Sequence, residues 1–359
     1  MASTLGLKVR RREGEVFRRR LVEMGAFDPG RKIRSEGEDL YMPILELSRE
    51  AKEELSSLGE FDLVEAEFRE EEPRETVEGL LGRKASFEVV GDIAILEGAD
   101  PEAATAIIAV HRNVRAVISP LTAVEGVYRT RRFEHVAGEA RTTTVHREHG
   151  LRYRIDLERA YFTPRLGTER LRVASLVRRG EAAVDMFAGV GPFALLIAKR
   201  GARVVAVDKN PDAVRLLREN ANLNRITDMV IMEADAADLA EEFANRADRV
   251  IMNLPHSARD FLGAAMKIAK DGGVVHYYAI APEDDLFGRD TAFVEEAASA
   301  SGVKAEILRR GVVRSYAPHQ YNIVIDFAVH KRVAAKGAEG RGRDPRGTEK
   351  YIFVNCRKK

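Results

Sequence analysis

The run Val184–Phe193, VDMFAGVGPF, constrains this chain more than any other stretch. Apolar residues Ala182, Ala183, Val184, Met186 and Phe187 lead into a Gly-X-Gly corner, and the helix-like FALLIAKR follows at once. A strand, a glycine turn and a helix in that order let the backbone approach a nucleotide-like ligand. The new helix also offers such a ligand unpaired N–H groups. ARVVAVD then places Asp208 at the end of a second strand, where a carboxylate reaches the ribose hydroxyls of a bound nucleoside. Together the two features predict an adenosine-bearing ligand, with Gly189 and Gly191 at the turn.

From Tyr161 to about His330 strand and helix signals alternate. GTERLRVASLVRRG, PFALLIAKR, DAVRLLRENANLNR, DLAEEFAN, ARDFLGAAMKIAK and FVEEAASAS read as helices. AAVDMF, ARVVAVD, MVIMEAD, DRVIMNLP, GVVHYYAI, KAEILRRGVV and YNIVIDFAV read as strands. Repeated βα units predict a largely parallel sheet covered on both faces. The last two strands have no helix between them, which predicts an antiparallel pair at one edge.

The 359 residues suffice for two or three domains, each with its own core. GEVFRRRLVEMGAF has Val16, Phe17, Leu21 and Met24 at helical spacing, and DLYMPILEL reads as a strand that Pro43 places at an edge or interrupts. With them, residues 1–65 form a small α/β module. The acidic stretch Glu65–Gly79 reads as a linker or exposed helix. The segment 70–160 is a mixed α+β unit. It opens with a hairpin turned at Gly91-Asp92, continues with a helix started by Pro101 and has a further hairpin turned at His149-Gly150. VEGVYRTRRFEHVAGE between them is strand-like. Arginines 129, 131, 132, 141, 152 and 154, near Tyr128, Phe133 and Tyr153, make an exposed sheet face that also suits RNA phosphates and stacking.

Charge is uneven. Lys331–Lys359 holds ten Lys/Arg against three Asp/Glu, so the rest of the chain carries −6 beneath a total of +1. Bulk charge therefore does not by itself argue for a nucleic-acid partner. Arg10–Arg12 and Arg18–Arg20 read first as solvated faces, and residues 331–359 as a flexible basic tail. Cys356 is the one cysteine; it excludes an internal disulfide and brings no zinc cluster, and no metal site is expected. No apolar run reaches bilayer length and the Arg-rich start lacks an apolar signal core, which reads as a cytoplasmic chain without a membrane partner.

Gly189-X-Gly191-X-X-Ala194 with Asp208 also satisfies a dinucleotide fingerprint, so a nicotinamide oxidoreductase is an alternative. Three features favour a cationic nucleoside without phosphates, S-adenosylmethionine. Asp185 at the end of the first strand would repel a pyrophosphate, and Asp235 after the third can accept from an adenine amino group. Asn253-Leu254-Pro255 follows the fourth. In an open α/β sheet these strand ends meet at one crevice.

YFTPRLGTER, VDMFAGVGPF, VDKNP, NLPHSA, GGVVHYY and RSYAP resemble the archaeal and eukaryotic tRNA guanine-N1 methyltransferases, which modify nucleotide 37 next to the anticodon. KIRSEGEDLYMPI and VEGVYRTRRFEHVAGE extend the resemblance over nearly all of residues 1–330. It implies a class I, Rossmann-like methyltransferase domain with a mixed sheet over 161–330, preceded by two smaller RNA-binding domains, 70–160 and 1–65. The 1–65 domain would dock on the outer corner of tRNA. It also implies action as a monomer and contact with the anticodon loop.

Guanine N1 carries a proton at neutral pH, so methylation there needs a base and a positive group near O6. The resemblance puts the base at Glu169 and the essential arginine at Arg129, in the strand before HVAGE. Asn253 and Pro255 would hold the target nitrogen in line with the methyl group. For the cofactor it implies Arg170 and Asn253 at the methionine end, Asp208 and Lys209 at the ribose, and Asp235 and Ala236 at the adenine. Tyr161 and Phe187 would wall the pocket. Tyr316 and Pro318 match a late family motif and read as loop packing, and His256 as a surface residue at a helix start. Two alternatives accompany this reading: methylation of a tricyclic guanosine derivative at the same nucleotide, and a tRNA-binding relative without catalysis.

Overall fold

The computed structural model describes residues 3–71, 75–123, 126 and 128–331; the basic segment 332–359, with Cys356, lies outside the described residues. The chain falls into two compact units, the first ending at Leu80 and the second beginning at Leu81.

The first unit is an antiparallel sheet in the order β2-β3-β1-β4, with two helices. In chain order its elements are β1 (Ser3–Arg10), α1 (Gly14–Glu23), β2 (Arg34–Glu36), β3 (Asp39–Pro43), α2 (Arg49–Ser56) and β4 (Asp62–Glu67). Phe17 and Leu21 of α1 pack with Leu7, Val9, Met42 and Leu55. Val16, expected on that face, is 55% exposed, because the stripe through 17, 21 and 24 leaves it one step round the helix. Pro43 ends β3 opposite Gly6 of β1, beyond the reach of three-residue β2, so its missing N–H costs no ladder bond. Arg20 pairs with Glu23 and Glu54, and Arg10 with Asp39, as solvated charged faces do. The linker reading of Glu65–Gly79 is corrected at its start. Ala66 and Phe68 alternate inward between outward glutamates, and β4 pairs with β1 as far as Glu67.

The boundary falls at the end of α3 (Val77–Leu81), and the second unit continues with β5 (Phe87–Val90), β6 (Ile93–Leu96), α4 (Pro101–Val110), β7 (Ala116–Pro120) and β8 (Phe133–Gly138). The four strands lie in the order β5-β6-β7-β8, with α4 crossing between parallel β6 and β7. Gly91 turns the first hairpin with φ 62°, and a Cβ there would sit 2.1 Å from Thr144 Oγ1. Asp100 caps α4 by accepting from the Ala103 N–H, and Pro101 occupies the first turn. A second hairpin follows, β9 (Thr143–Glu148) and β10 (Leu151–Asp156), turned by His149 and Gly150, both at positive φ. The strand expected to run continuously into HVAGE begins only at Phe133. Arg129, expected within it, stands instead in a turn with φ 53°, its N–H bonded to the Gly126 carbonyl.

The remaining elements are α5 (Gly167–Ser175), β11 (Ala182–Asp185), α6 (Pro192–Lys199), β12 (Arg203–Asp208), α7 (Pro211–Leu223), β13 (Met229–Glu233), α8 (Leu239–Glu242), β14 (Ala247–Met252), α9 (Leu262–Ile268), β15 (Ala269–Pro282), α10 (Gly288–Ala300), β16 (Val303–Ala317) and β17 (Gln320–Lys331). Their strands form one sheet, β13-β12-β11-β14-β15-β17-β16, parallel except that β17 runs against both neighbours. The consecutive antiparallel pair is present, but β17 inserts between β15 and β16 instead of adding to the edge. Val184, Val205 and Val250 enter one core, and Ala183, Val204 and Ile251 enter the other, so helices cover both faces.

Two buried polar groups in this unit have measurable consequences. The outer edge of β10 is closed by amides from α7. Asn220, fully buried, accepts from the Arg154 N–H at 2.6 Å and donates to the carbonyls of Arg154 and Val190 at 3.0 Å. Asn220→Ala strips these backbone groups of their partner and is expected to destabilise the second unit by about 3 kcal/mol, read as a lower urea midpoint at unchanged m value. Asp185, the last residue of β11, is 1% exposed and neither carboxyl oxygen has a fully formed hydrogen bond. Burial pushes it up to about 7; the N–H groups of Phe187 and Ala194 hold it back in part, and the Asp208 charge adds to the rise. The unfolded chain thus ionises Asp185 near 3.8 and the folded chain near 7, so stability falls as pH climbs between the two and is level above. At about pH 8 Asp185→Asn is expected to exceed wild type by roughly 4 kcal/mol in urea unfolding, with the gap closing toward pH 4. Parallel pH profiles for the two proteins would refute a protonated Asp185.

Candidate active site

The carboxyl edge of the parallel strands opens into a cleft lined by the turns that follow β11, β12, β13 and β14. One end is built by the turns after β12 and β13. Asp208 closes β12; its Oδ2 accepts from the Gly189 N–H at 2.7 Å and its Oδ1 from the Asn210 N–H at 2.9 Å. Burial raises its pKa, and those two N–H groups oppose the rise. Lys209 lies 3.5 Å from Asp235, and Asp235 and Ala236 continue the wall.

The glycines divide their work. Gly189, at φ 55°, faces open space, the nearest atom to a built Cβ being 3.9 Å away. Gly191, at φ 93°, starts α6, and a Cβ on it would lie 2.2 Å from Leu217 Cδ1. Gly191, expected at the ligand, therefore serves helix packing and does not line the cleft. Asp185 does not line it either, since Met186 to Gly189 form the wall above the buried carboxyl.

Arg170 reaches the cleft although only 2% exposed. Its Nε and Nη2 bond Glu148 at 2.7 and 2.5 Å, and Nη2 also reaches the Thr163 carbonyl. Burial opposes the Glu148 charge, yet His146 and Arg170 hold that carboxyl down at about 2. Nothing in the sequence singled out Glu148, whose partner is 22 residues away on another element.

The other end of the cleft carries Tyr161, Phe187, Asn253, Pro255 and Arg129. The Asn253 Oδ1 is buried without a partner. The Arg129 guanidinium lies 5.5 Å from the centre of the Tyr161 ring. Phe187 is fixed edge-on by Phe261.

Glu169 is where the structure departs from expectation. It is neither an exposed first-turn carboxylate nor a residue lining the cleft. The Arg172 fork grips it through Nε at 2.8 Å and Nη2 at 2.7 Å, and the Tyr278 hydroxyl donates to it at 2.7 Å. Arg172 continues to Asp326, Asp326 to His276, His276 to Arg249 and Arg249 to Glu181, a polar chain through β17, β15 and β14.

S-adenosylmethionine fits this lining. The Asp208 and Asp235 carboxylates in the lining are acceptors for the hydroxyls and amino group of a nucleoside. The orphaned Asn253 carbonyl awaits a donor. Among the described residues no cluster of His, Cys, Asp or Glu is placed to hold a metal ion, and no helix is long and apolar enough to cross a membrane.

Residues 144–308 match the TRM5/TYW2 methyltransferase domain and residues 6–52 the tRNA methyltransferase 5 N-terminal domain. The tRNA (guanine(37)-N(1))-methyltransferase Trm5b of Pyrococcus abyssi is 43% identical over 341 residues, covering 91% of this chain and 99% of that protein. The structure of a complex of aTrm5 and tRNALeu superposes with a TM-score of 0.64 at 33% identity, over 91% of this chain and 100% of that one. Methanocaldococcus jannaschii TYW2 in complex with AdoMet gives 0.56 at 26% identity over 68% of this chain and 100% of that one. With relatives matched along almost its whole length, and with a Rossmann-like class I methyltransferase sheet preceded by a Trm5-type N-terminal unit, this chain belongs to the tRNA (guanine(37)-N(1))-methyltransferase family.

Proposed function

We propose that this protein transfers a methyl group from S-adenosylmethionine to N1 of guanosine 37 in tRNA. The observation that carries the reading is that Asp208, Asp235, Asn253 and Arg129 all line one cleft. A nucleoside cofactor and an everted base thus share one crevice. The match to the Trm5 N-terminal domain favours guanosine itself over a tricyclic derivative, since the TYW2 structure covers only 68% of the chain.

When bound, S-adenosylmethionine supplies an electrophilic methyl on a positively charged sulfur. Asp208 and Lys209 hold the ribose, Asp235 and Ala236 the adenine, and Arg170 the methionine carboxylate, with its fork fixed by Glu148. Tyr161, Phe187 and the Gly189 backbone close the walls. Asn253 and the chain at Pro255 hold the guanine with N1 toward the methyl. Arg129 donates to O6 as charge gathers there. Glu169 takes the N1 proton, and to do so its carboxylate turns out of the Arg172–Tyr278 grip toward the arriving base. In the same reading residues 1–65 dock on the outer corner of tRNA, residues 70–160 bind RNA near the anticodon loop, and the protein acts in the cytoplasm as a monomer.

Primer extension on a guanosine-37 transcript tests the activity, because methyl at N1 blocks pairing and stops the polymerase. Glu169→Gln is expected to lower kcat by a factor on the order of 10²–10⁴ while tRNA still binds. A variant keeping more than a tenth of wild-type kcat would remove Glu169 from the mechanism. Asp208→Asn is expected to raise KM for the cofactor about tenfold with little change in tRNA affinity, measured by filter binding.

A further inference from the structure

Glu169 does not have Arg172 to itself. The guanidinium bonds Glu169 through Nε and Nη2, and Asp326 through Nη1 at 2.8 Å and Nη2 at 3.3 Å. Both carboxylates therefore touch the same nitrogen, Nη2. Burial works against the Arg172 charge, and the two carboxylates together hold its pKa above the ordinary value. The other partner of Asp326 is His276, and that ring is neutral. Its Nε2 faces Arg249 Nη1 at 2.7 Å; a guanidinium only donates, so Nε2 accepts and the ring proton sits on Nδ1. Nδ1–H donates to Asp326 at 2.6 Å, and burial lowers the His276 pKa. Two negative charges thus share one guanidinium. The contrast is on the same helix, where Arg170 gives its fork to one carboxylate, Glu148, at 2.7 and 2.5 Å.

Sharing decides which carboxylate can leave. Asp326 is 4% exposed on β17 and is bound from two sides, by Arg172 and by His276. Glu169 lies in the first turn of α5, and its neighbour in sequence, Arg170, lines the cleft. When Glu169 turns away, Arg172 still has Asp326, so no guanidinium is left stranded. A cation with a single buried partner would lose it, and breaking such a pair inside a protein is strongly unfavourable. Like charges bound to one nitrogen also repel each other, which loosens the hold on each.

Resting on Glu169 as the base in the function proposed above, we infer that Asp326 is a positioning residue that keeps Arg172 paired and so frees the Glu169 carboxylate to meet guanine N1. Arg172 and Tyr278 hold Glu169 before the base arrives. The N1–H bond then breaks and its proton goes to a Glu169 oxygen. The electron pair left on N1 forms the bond to the methyl carbon as the sulfur–methyl bond breaks, and that bond's pair stays on sulfur. Glu169 gives its proton to water and returns to Arg172.

Asp326→Asn keeps the shape and one acceptor but removes the competing charge, so Arg172 closes on Glu169. Single-turnover methyl transfer to a guanosine-37 transcript, at saturating tRNA and cofactor, is expected to slow about tenfold, while both affinities stay within about twofold. Adding Arg172→Gln to Asp326→Asn opens the grip and should bring the rate back to within about threefold of wild type. A cluster that only supports the fold gives the reverse, because a second lesion in it slows the enzyme further. Tyr278→Phe takes one bond and no charge from the docked carboxylate and should raise the wild-type rate about threefold. That variant decides the matter if Asp326→Asn does not fold, as read from its urea midpoint. An unchanged rate in Asp326→Asn, a double variant slower than Asp326→Asn, or a slower Tyr278→Phe would overturn the inference. A wild type that leaves guanosine 37 unmodified, or a Glu169→Gln as fast as wild type, would instead overturn the reading on which it rests.

Discussion

The site depends first on the way Asp208 ties two turns together. Its carboxylate accepts one N–H from the glycine corner after β11 and another from the turn that opens α7. Beside it the Ala188 N–H donates to the Val207 carbonyl at 2.8 Å, so backbone and side chain together join the two strand ends. With this clamp, the backbone at Gly189 is held open and the acid is held at the cleft although burial penalises its charge. Gly191 complements the clamp by letting α6 approach Leu217 of α7, so the wall rests on packed helices and not on a free loop.

Two arginines two positions apart on α5, and so on opposite sides of it, show how one short helix can serve two purposes. Arg170 turns toward the cleft and is immobilised by a carboxylate from β9. Arg172 turns toward the sheet and holds Glu169 and Asp326 at once. The hairpin supplying Glu148 is itself sewn to α7 by Asn220 and Asn224. The hairpin is thus part of the same scaffold as the cleft. The charge of Asp326 is opposed by burial and favoured by His276 and Arg172, which together hold it at about 2. Paired, hydrogen-bonded charges of this kind are the condition for keeping ions inside a sheet.

Much of the architecture was legible beforehand, and for identifiable reasons. The seven strands and their helices followed from apolar periodicity, the hairpins at Gly91 and His149-Gly150 from turn chemistry, and the α4 start from Pro101. The misreadings came from the same local logic. Val16 matched the helix pattern but fell one step off the stripe. The glutamates of β4 concealed the inward alternation of Ala66 and Phe68. Arg129 sits in a strand-like sequence, yet the chain there makes a turn with a positive φ that side-chain pattern does not encode.

The sequence by itself determined the order of elements, the glycine corner and the carboxylates at the ends of β11 and β12. Each of these depends on residues a few positions apart. Only the tertiary structure decided that β17 slips between β15 and β16. It alone decided that Glu169 rests against Tyr278, 109 residues away, that Arg172 meets Asp326 across 154, and that Asn322 Oδ1 and Arg314 Nε are buried without partners. Partner choice among buried polar groups depends on which strands become neighbours. That is settled by the packing of the whole sheet, because a charge or amide is stable inside only where distant chain segments bring its complement within hydrogen-bond reach.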